Sequence, residues 1–179
     1  MLPSDKHIIL IGFKHVGKSV IGKEIAMRLH KEHVDLDTQM ERRYAKTRGE
    51  ALTCRQIMQR EGQALFRELE HEALQEVIAF PAAVISVGGG TPLDERNQTL
   101  MKAHRIVHVL APRGVVFERI MVNGRPAFFS TEEDPYVSFK RLWREREKIY
   151  TRLTSISVYN NGSIELAADQ LLKTLDQDG

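Results

Sequence analysis

Gly12-Phe13-Lys14-His15-Val16-Gly17-Lys18-Ser19 carries the most chemistry in this chain, because it fits G-x-x-x-x-G-K-[ST]. A loop of this type turns its backbone N–H groups inward onto an anion, and a helix that starts at its end adds partial positive charge. Gly12 and Gly17 permit the turn, Lys18 can reach terminal phosphates, and Ser19 offers a hydroxyl to Mg²⁺. The chemistry implied is the handling of a nucleoside triphosphate. An N-K-x-D guanine reader is absent from the sequence, which argues against a GTPase.

Further groups suit a second, anionic and hydroxylated substrate. In Val34-Asp35-Leu36-Asp37, period-two alternation predicts both carboxylates on one face of a strand, near the phosphate loop. Two close carboxylates need a cation or a donor between them, and Mg²⁺ or a sugar-like hydroxyl would serve. The alternative is that Asp37 caps the following helix while Asp35 is solvated. Arg146 falls on the apolar stripe of its helix, with Phe139, Leu142, Trp143, Ile149, Tyr150 and Leu153, where a charge requires an anion. Arg67 shares a line with Leu74 and Ile78, although a local pair with Glu70 or His71 would also satisfy it. Gly88-Gly89-Gly90 follows a buried strand and would let a ligand approach the backbone. Arg125-Pro126 lies in an irregular stretch, where an arginine could close over phosphates and exclude water or simply stand exposed. The histidines lack a metal-ligand pattern and read as structural or surface groups.

These residues need a scaffold, and the hydropathy pattern supplies one. Strands are expected at residues 7–12, 33–36, 83–87, 105–110 and 156–159, and helices at 18–29, 64–80, 112–122, 134–153 and 163–175. Strands alternating with helices predict an α/β fold, a parallel sheet covered on both faces. Residues 46–53 and 126–133 are the least regular and are expected to be mobile. With no repeat or composition break, residues 1–179 read as a single domain.

Composition agrees with an ordinary globular chain: 179 residues, 42% hydrophobic, 28% charged, net charge +2. So small a charge excess leaves no footprint for nucleic acid. Cys54 is the single cysteine, which excludes an internal disulfide. No stretch approaches the ~20 apolar residues of a membrane span, and no signal peptide is evident. A cytoplasmic monomer acting on small molecules is the expectation.

Taken together, GKS after the first strand, D-x-D after the second, GQALFRELE, then GGG, R-P and R-x-x-x-Y resemble the shikimate kinases in order and spacing, nearly end to end. The resemblance implies a five-stranded parallel sheet of the P-loop, NMP-kinase-like type, and ATP-dependent phosphorylation of the 3-hydroxyl of shikimate in aromatic amino-acid biosynthesis. Nucleotide contacts would come from Gly12, Lys14, His15, Val16, Gly17, Lys18, Ser19 and Val20, with Arg125 as a lid arginine and Asn160 near adenine. Ser19 and Asp35 would hold Mg²⁺. Asp37, Arg67, Gly88, Gly89, Gly90 and Arg146 would bind shikimate, and Lys18, Asp37 and Arg125 would carry catalysis. A substrate-binding helical region is implied at about residues 38–70 and a lid at about 122–134.

The chain departs from the family pattern in places. The family loop usually reads G-x-x-G-x-G-K-[ST]-T, whereas His15 stands at the middle Gly and Val20 at the final Thr. The usual R-x-P-L-Y reads Arg146-Glu-Lys-Ile-Tyr150, and the stretch 41–66 looks longer than usual. Two other readings are a kinase for another small hydroxylated acid, such as gluconate, and a catalytically weak nucleotide-binding module.

Overall fold

A computed structural model describes residues 6–122, 124–126 and 129–177. Its centre is β1 (Ile8–Ile11), four aliphatic residues each no more than 2% exposed. Ile8 and Leu10 pack into one apolar cluster and Ile9 and Ile11 into another, so this strand is buried on both faces. Around it lie β2 (His33–Asp35), β3 (Val84–Ser86), β4 (Arg105–Leu110) and β5 (Ser157–Tyr159). The five are parallel, in the order β2-β3-β1-β4-β5. β1 therefore sits where the chain winds first to one side and then to the other, and clefts in such sheets open beyond the strands' carboxyl ends.

One face is covered by α1 (Lys18–Arg28), α5 (Arg113–Met121) and α7 (Ile164–Gln177), through Ile21, Ile25, Val116, Ile120 and Leu171. The other is covered by α2 (Leu36–Arg48), α3 (Cys54–Ile78) and α4 (Glu95–Met101), through Met40, Tyr44, Leu69, Leu74 and Met101. The remaining helix, α6 (Pro135–Leu153), joins the two, giving Phe139 and Trp143 to the first cluster and Tyr150 to the second.

The expected strands are all present; β4 has the expected bounds and the other four are shorter than read. One boundary changes chemistry: β2 ends at Asp35 and α2 begins at Leu36, so Asp37 is helical rather than the second member of a strand face. The helix cap is Asp35, whose carboxylate accepts from the Thr38 N–H at 3.3 Å. Alternation of V-D-L-D imitates a strand here because Leu36 is fully buried from a helix instead. Residues 46–53 divide between the last turn of α2, its Gly49 C-cap, and the Thr53 cap of α3. The Thr53 hydroxyl and the Gln56 side chain form a capping box, and Gly62 (φ 79°, ψ 170°) kinks α3 partway along. Of the segment expected to form a lid, residues 123, 127 and 128 lie outside the described residues.

Candidate active site

The phosphate loop leaves β1 and enters α1 through backbone shapes that only some residues accept. Gly12 has φ 142° and Gly17 φ 101°. A β-carbon on Gly12 would lie 2.4 Å from the Val109 carbonyl oxygen, and one on Gly17 would lie 2.3 Å from Asn160 Nδ2. Asn160 explains the second constraint. It is buried after β5, donates to the Val16 carbonyl at 2.9 Å, and accepts from the Gly162 N–H at 3.1 Å. Its carboxamide thus braces the loop.

Lys18 opens α1 and is 9% exposed. Its Nζ donates to the carbonyls of Gly12 at 3.0 Å and Phe13 at 2.8 Å, which fixes the ammonium under the loop. Burial pushes it down to about 8, against the opposing pull of Asp37 and Asp35. Ser19 Oγ donates to Asp35 Oδ2 at 2.6 Å, so the hydroxyl and carboxylate expected to share a cation are already adjacent. Two hard oxygen donors fit Mg²⁺, which keeps several waters and takes phosphate oxygens for the rest of its shell.

Asp37 opens to a cleft of roughly 1440 Å³. Asp37 is exposed where it lines the cleft. Desolvation, with the negative charges of Asp35 and Glu70, raises it to about 6, while Lys18 and Lys14 pull the other way. The cleft also takes in Lys14, His15, Lys18, Ser19, Asp35, Arg67, Gly88, Gly89, Gly90 and Arg146, so residues far apart in the chain meet where the sequence reading needs them. Val20 lines it too, half exposed.

The two arginines reach the cleft from opposite helices. Arg67, on α3 beyond the Gly62 kink, donates to Glu70 Oε2 at 2.6 Å and lies over the Phe66 ring. Glu70 is buried, and its other oxygen accepts from the Thr91 hydroxyl at 2.7 Å. The local pair foreseen for Arg67 therefore exists, and it aims the guanidinium at the glycine turn. A β-carbon on Gly90 would sit 2.4 Å from Arg67 Nη2. Arg146, on α6, stacks over the Phe13 ring with its Cζ 5.0 Å from the centroid. One turn later the Tyr150 hydroxyl donates to the Gly89 carbonyl at 2.5 Å, and burial raises it to about 12 despite the nearby Arg146 charge.

Four expected participants are not among the residues that line the cleft: Gly12 and Val16, both buried in the loop, and Arg125 and Asn160. Arg125 donates through Nη2 to the Glu133 carbonyl at 2.6 Å, within its own segment. Asn160 braces the loop, as above. Among the other residues that line the cleft, Glu70 and Arg119 make contacts with expected site residues. Glu70 holds Arg67 and Thr91 together, and its signal was the i, i+3 spacing in FRELE. Arg119, near the end of α5, donates to the His15 carbonyl at 3.1 Å and lines the nucleotide end of the cleft. Only its place in the helix's last turn marked it in the sequence.

The family model for shikimate kinase matches residues 14–176. The shikimate kinase of Thermobifida fusca is 31% identical over 96% of this chain and 95% of its own length. A bifunctional shikimate kinase/3-dehydroquinate synthase of Thermotoga maritima is 30% identical over 95% of this chain, which spans only 32% of that larger protein. Among solved structures, the shikimate kinase of Aquifex aeolicus superposes with a TM-score of 0.79 at 29% identity, covering 96% of this chain and 97% of the other. A gluconokinase of Sinorhizobium meliloti shares the fold alone, at 14% identity and a TM-score of 0.57 over 97% of this chain and 93% of its own. A loop of the G-x-x-x-x-G-K-S pattern, a helical Asp37 beside it and two arginines lining the same cleft thus occur in a chain that belongs to the shikimate kinase family.

Proposed function

We infer that this protein transfers the γ-phosphoryl group of ATP to the 3-hydroxyl of shikimate, giving shikimate 3-phosphate and ADP. The observation that carries the reading is one cleft bounded by Lys18 at the phosphate loop, Asp37 beside it, and Arg67 and Arg146 across from it. Arg67 and Arg146 offer planar forks for the carboxylate of the acceptor. The turn Gly88 to Gly90, which lies close to Asp37 and to both arginines, would border the acceptor's ring. With the carboxylate held there, the hydroxyl that reacts faces Asp37.

Asp37, raised toward neutrality, suits a group that accepts the proton of the attacking hydroxyl. The hydroxyl oxygen then bonds to the γ-phosphorus as the bond to the β–γ bridging oxygen breaks. Lys18 balances negative charge on the phosphates through this exchange, with no covalent role. Ser19 and Asp35 would hold Mg²⁺, which when bound neutralises phosphate charge and orients the triphosphate. Arg125 would turn from the Glu133 carbonyl toward the phosphates as its segment closes, excluding water that would otherwise take the phosphoryl group.

Incubation with Mg·ATP and shikimate, followed by phosphorus and proton NMR of the product, tests the reading. A single phosphate ester coupled to the ring proton at carbon 3 is expected. Ester formation at another carbon, or none, would overturn it.

A further inference from the structure

His15 stands where the family pattern places glycine, and the backbone there has the shape that glycine would take. Its φ is 66°, in the left-handed region, which a β-carbon disfavours although histidine, asparagine and aspartate enter it more readily than most. Position 15 thus keeps the loop's geometry and adds an imidazole to it. The residue lines the cleft with Lys14, Lys18 and Ser19, and its carbonyl accepts from Arg119 Nη1 at 3.1 Å. The charged groups acting on it come from each element packed there: Lys14 from the loop, Lys18 from α1 and Arg119 from α5. Desolvation, then these cations, hold the imidazole below its ordinary value of 6.5, so it is neutral at pH 7 before any anion arrives.

We propose that His15 is a proton-linked phosphate contact: it takes up one proton from solvent as the polyphosphate enters the loop, and as imidazolium adds a fourth positive charge to Lys14, Lys18 and Arg119. No covalent bond forms. The proposal rests on the assignment of the loop to ATP. The driving force is simple: three cations make protonation unfavourable, and an incoming polyanion reverses the sign of the local potential. A group that is more basic in the complex than in the free protein makes binding tighter as pH falls between its two values. Asp37 and Lys18 also titrate near this range, at about 6 and about 8, so a bare pH profile is not diagnostic. His15→Asn separates the contributions, because asparagine also accepts the left-handed backbone and does not titrate.

Calorimetry of Mg·ATP binding, without acceptor, in two buffers of different ionisation enthalpy counts the protons taken up by each protein. The wild type should take up more protons than His15→Asn at about pH 6.5, and its affinity advantage should grow about 3–10-fold between about pH 8 and about pH 5.5. Equal proton counts and parallel affinity profiles, with both proteins binding ATP, would overturn the proposal and leave the kinase reading intact. Failure of the wild type to bind ATP would overturn both. An NMR titration of the His15 ring in the wild type, with and without Mg·ATP, needs no variant: the imidazole should become more basic in the complex, and an unchanged or more acidic ring refutes the role.

Discussion

Asp37 carries a conflict between stability and chemistry. A desolvated carboxylate beside Asp35 and Glu70 is disfavoured in the folded chain, which is why its proton is held up to about 6. Because the folded value lies above the unfolded one, charging Asp37 weakens the fold as pH rises from about 4 through about 6, and the penalty is complete above that. Asp37→Asn is therefore expected to melt at or above the wild-type temperature at pH 7, with that gain vanishing below about pH 4. The same change removes the proton acceptor, so kcat should fall about 10²–10⁴-fold. Melting curves beside steady-state kinetics check both, and near-normal kcat would leave Asp37 without a chemical role. The acid–base pair also fixes a pH profile. In the wild type kcat/KM should fall below about pH 6 as Asp37 protonates and above about pH 8 as Lys18 loses its charge. Lys18→Ala should remain folded and lose at least about 100-fold in turnover, read by ADP release. That both residues border one cleft was legible in the sequence; the helical position of Asp37 was not. The string V-D-L-D has the period of a strand, and only the Asp35 cap on Thr38 N–H shows where the helix starts.

The substrate end depends on how α3 and the glycine turn fit together. Gly62 breaks the helix, and the half that follows brings Arg67 against Gly90 and Glu70 against Thr91. Gly90 itself has an ordinary helical backbone, so alanine there strains no dihedral. Its β-carbon would instead displace the tip of Arg67, a flexible group that can move aside. Gly90→Ala should thus fold normally, raise KM for shikimate about tenfold or more and leave KM for ATP nearly unchanged. Equal changes in both KM values would mean that the turn does not set the arginine. Arg67→Lys and Arg146→Lys should show the same asymmetry in calorimetry, because lysine keeps the charge and loses the fork. Spacing exposed the second half of α3, yet α2 and the first turns of α3 found no place in the hydropathy pattern. α2 buries only Leu36, Met40 and Tyr44, one residue per turn, too narrow a stripe to stand out among its charged neighbours. The T-x-x-Q capping box at Thr53 was a readable start signal for α3, and Gly62 concealed that the helix continued past it.

Across the whole molecule, two apolar clusters clamp β1 from both sides and leave its carboxyl end to the cleft. Buried β-strands rich in Ile and Val announced that sheet, because a strand covered on both faces needs no polar alternation. Hydropathy alone did not show which groups share the cleft, since that depends on packing between α3, α6 and the loop; the order and spacing of the motifs did. The central claim is that this cleft selects an acceptor carrying both a carboxylate and a ring hydroxyl, and delivers ATP's phosphoryl group to it. The most direct measurement is ADP release under saturating Mg·ATP with shikimate, with gluconate and with no acceptor, in one buffer at about pH 7. Turnover with shikimate should exceed both other conditions by about 100-fold or more, the discrimination expected when binding groups for the correct acceptor are left unpaired by the wrong one. Equal rates with gluconate, or ADP release that ignores the acceptor, would contradict it.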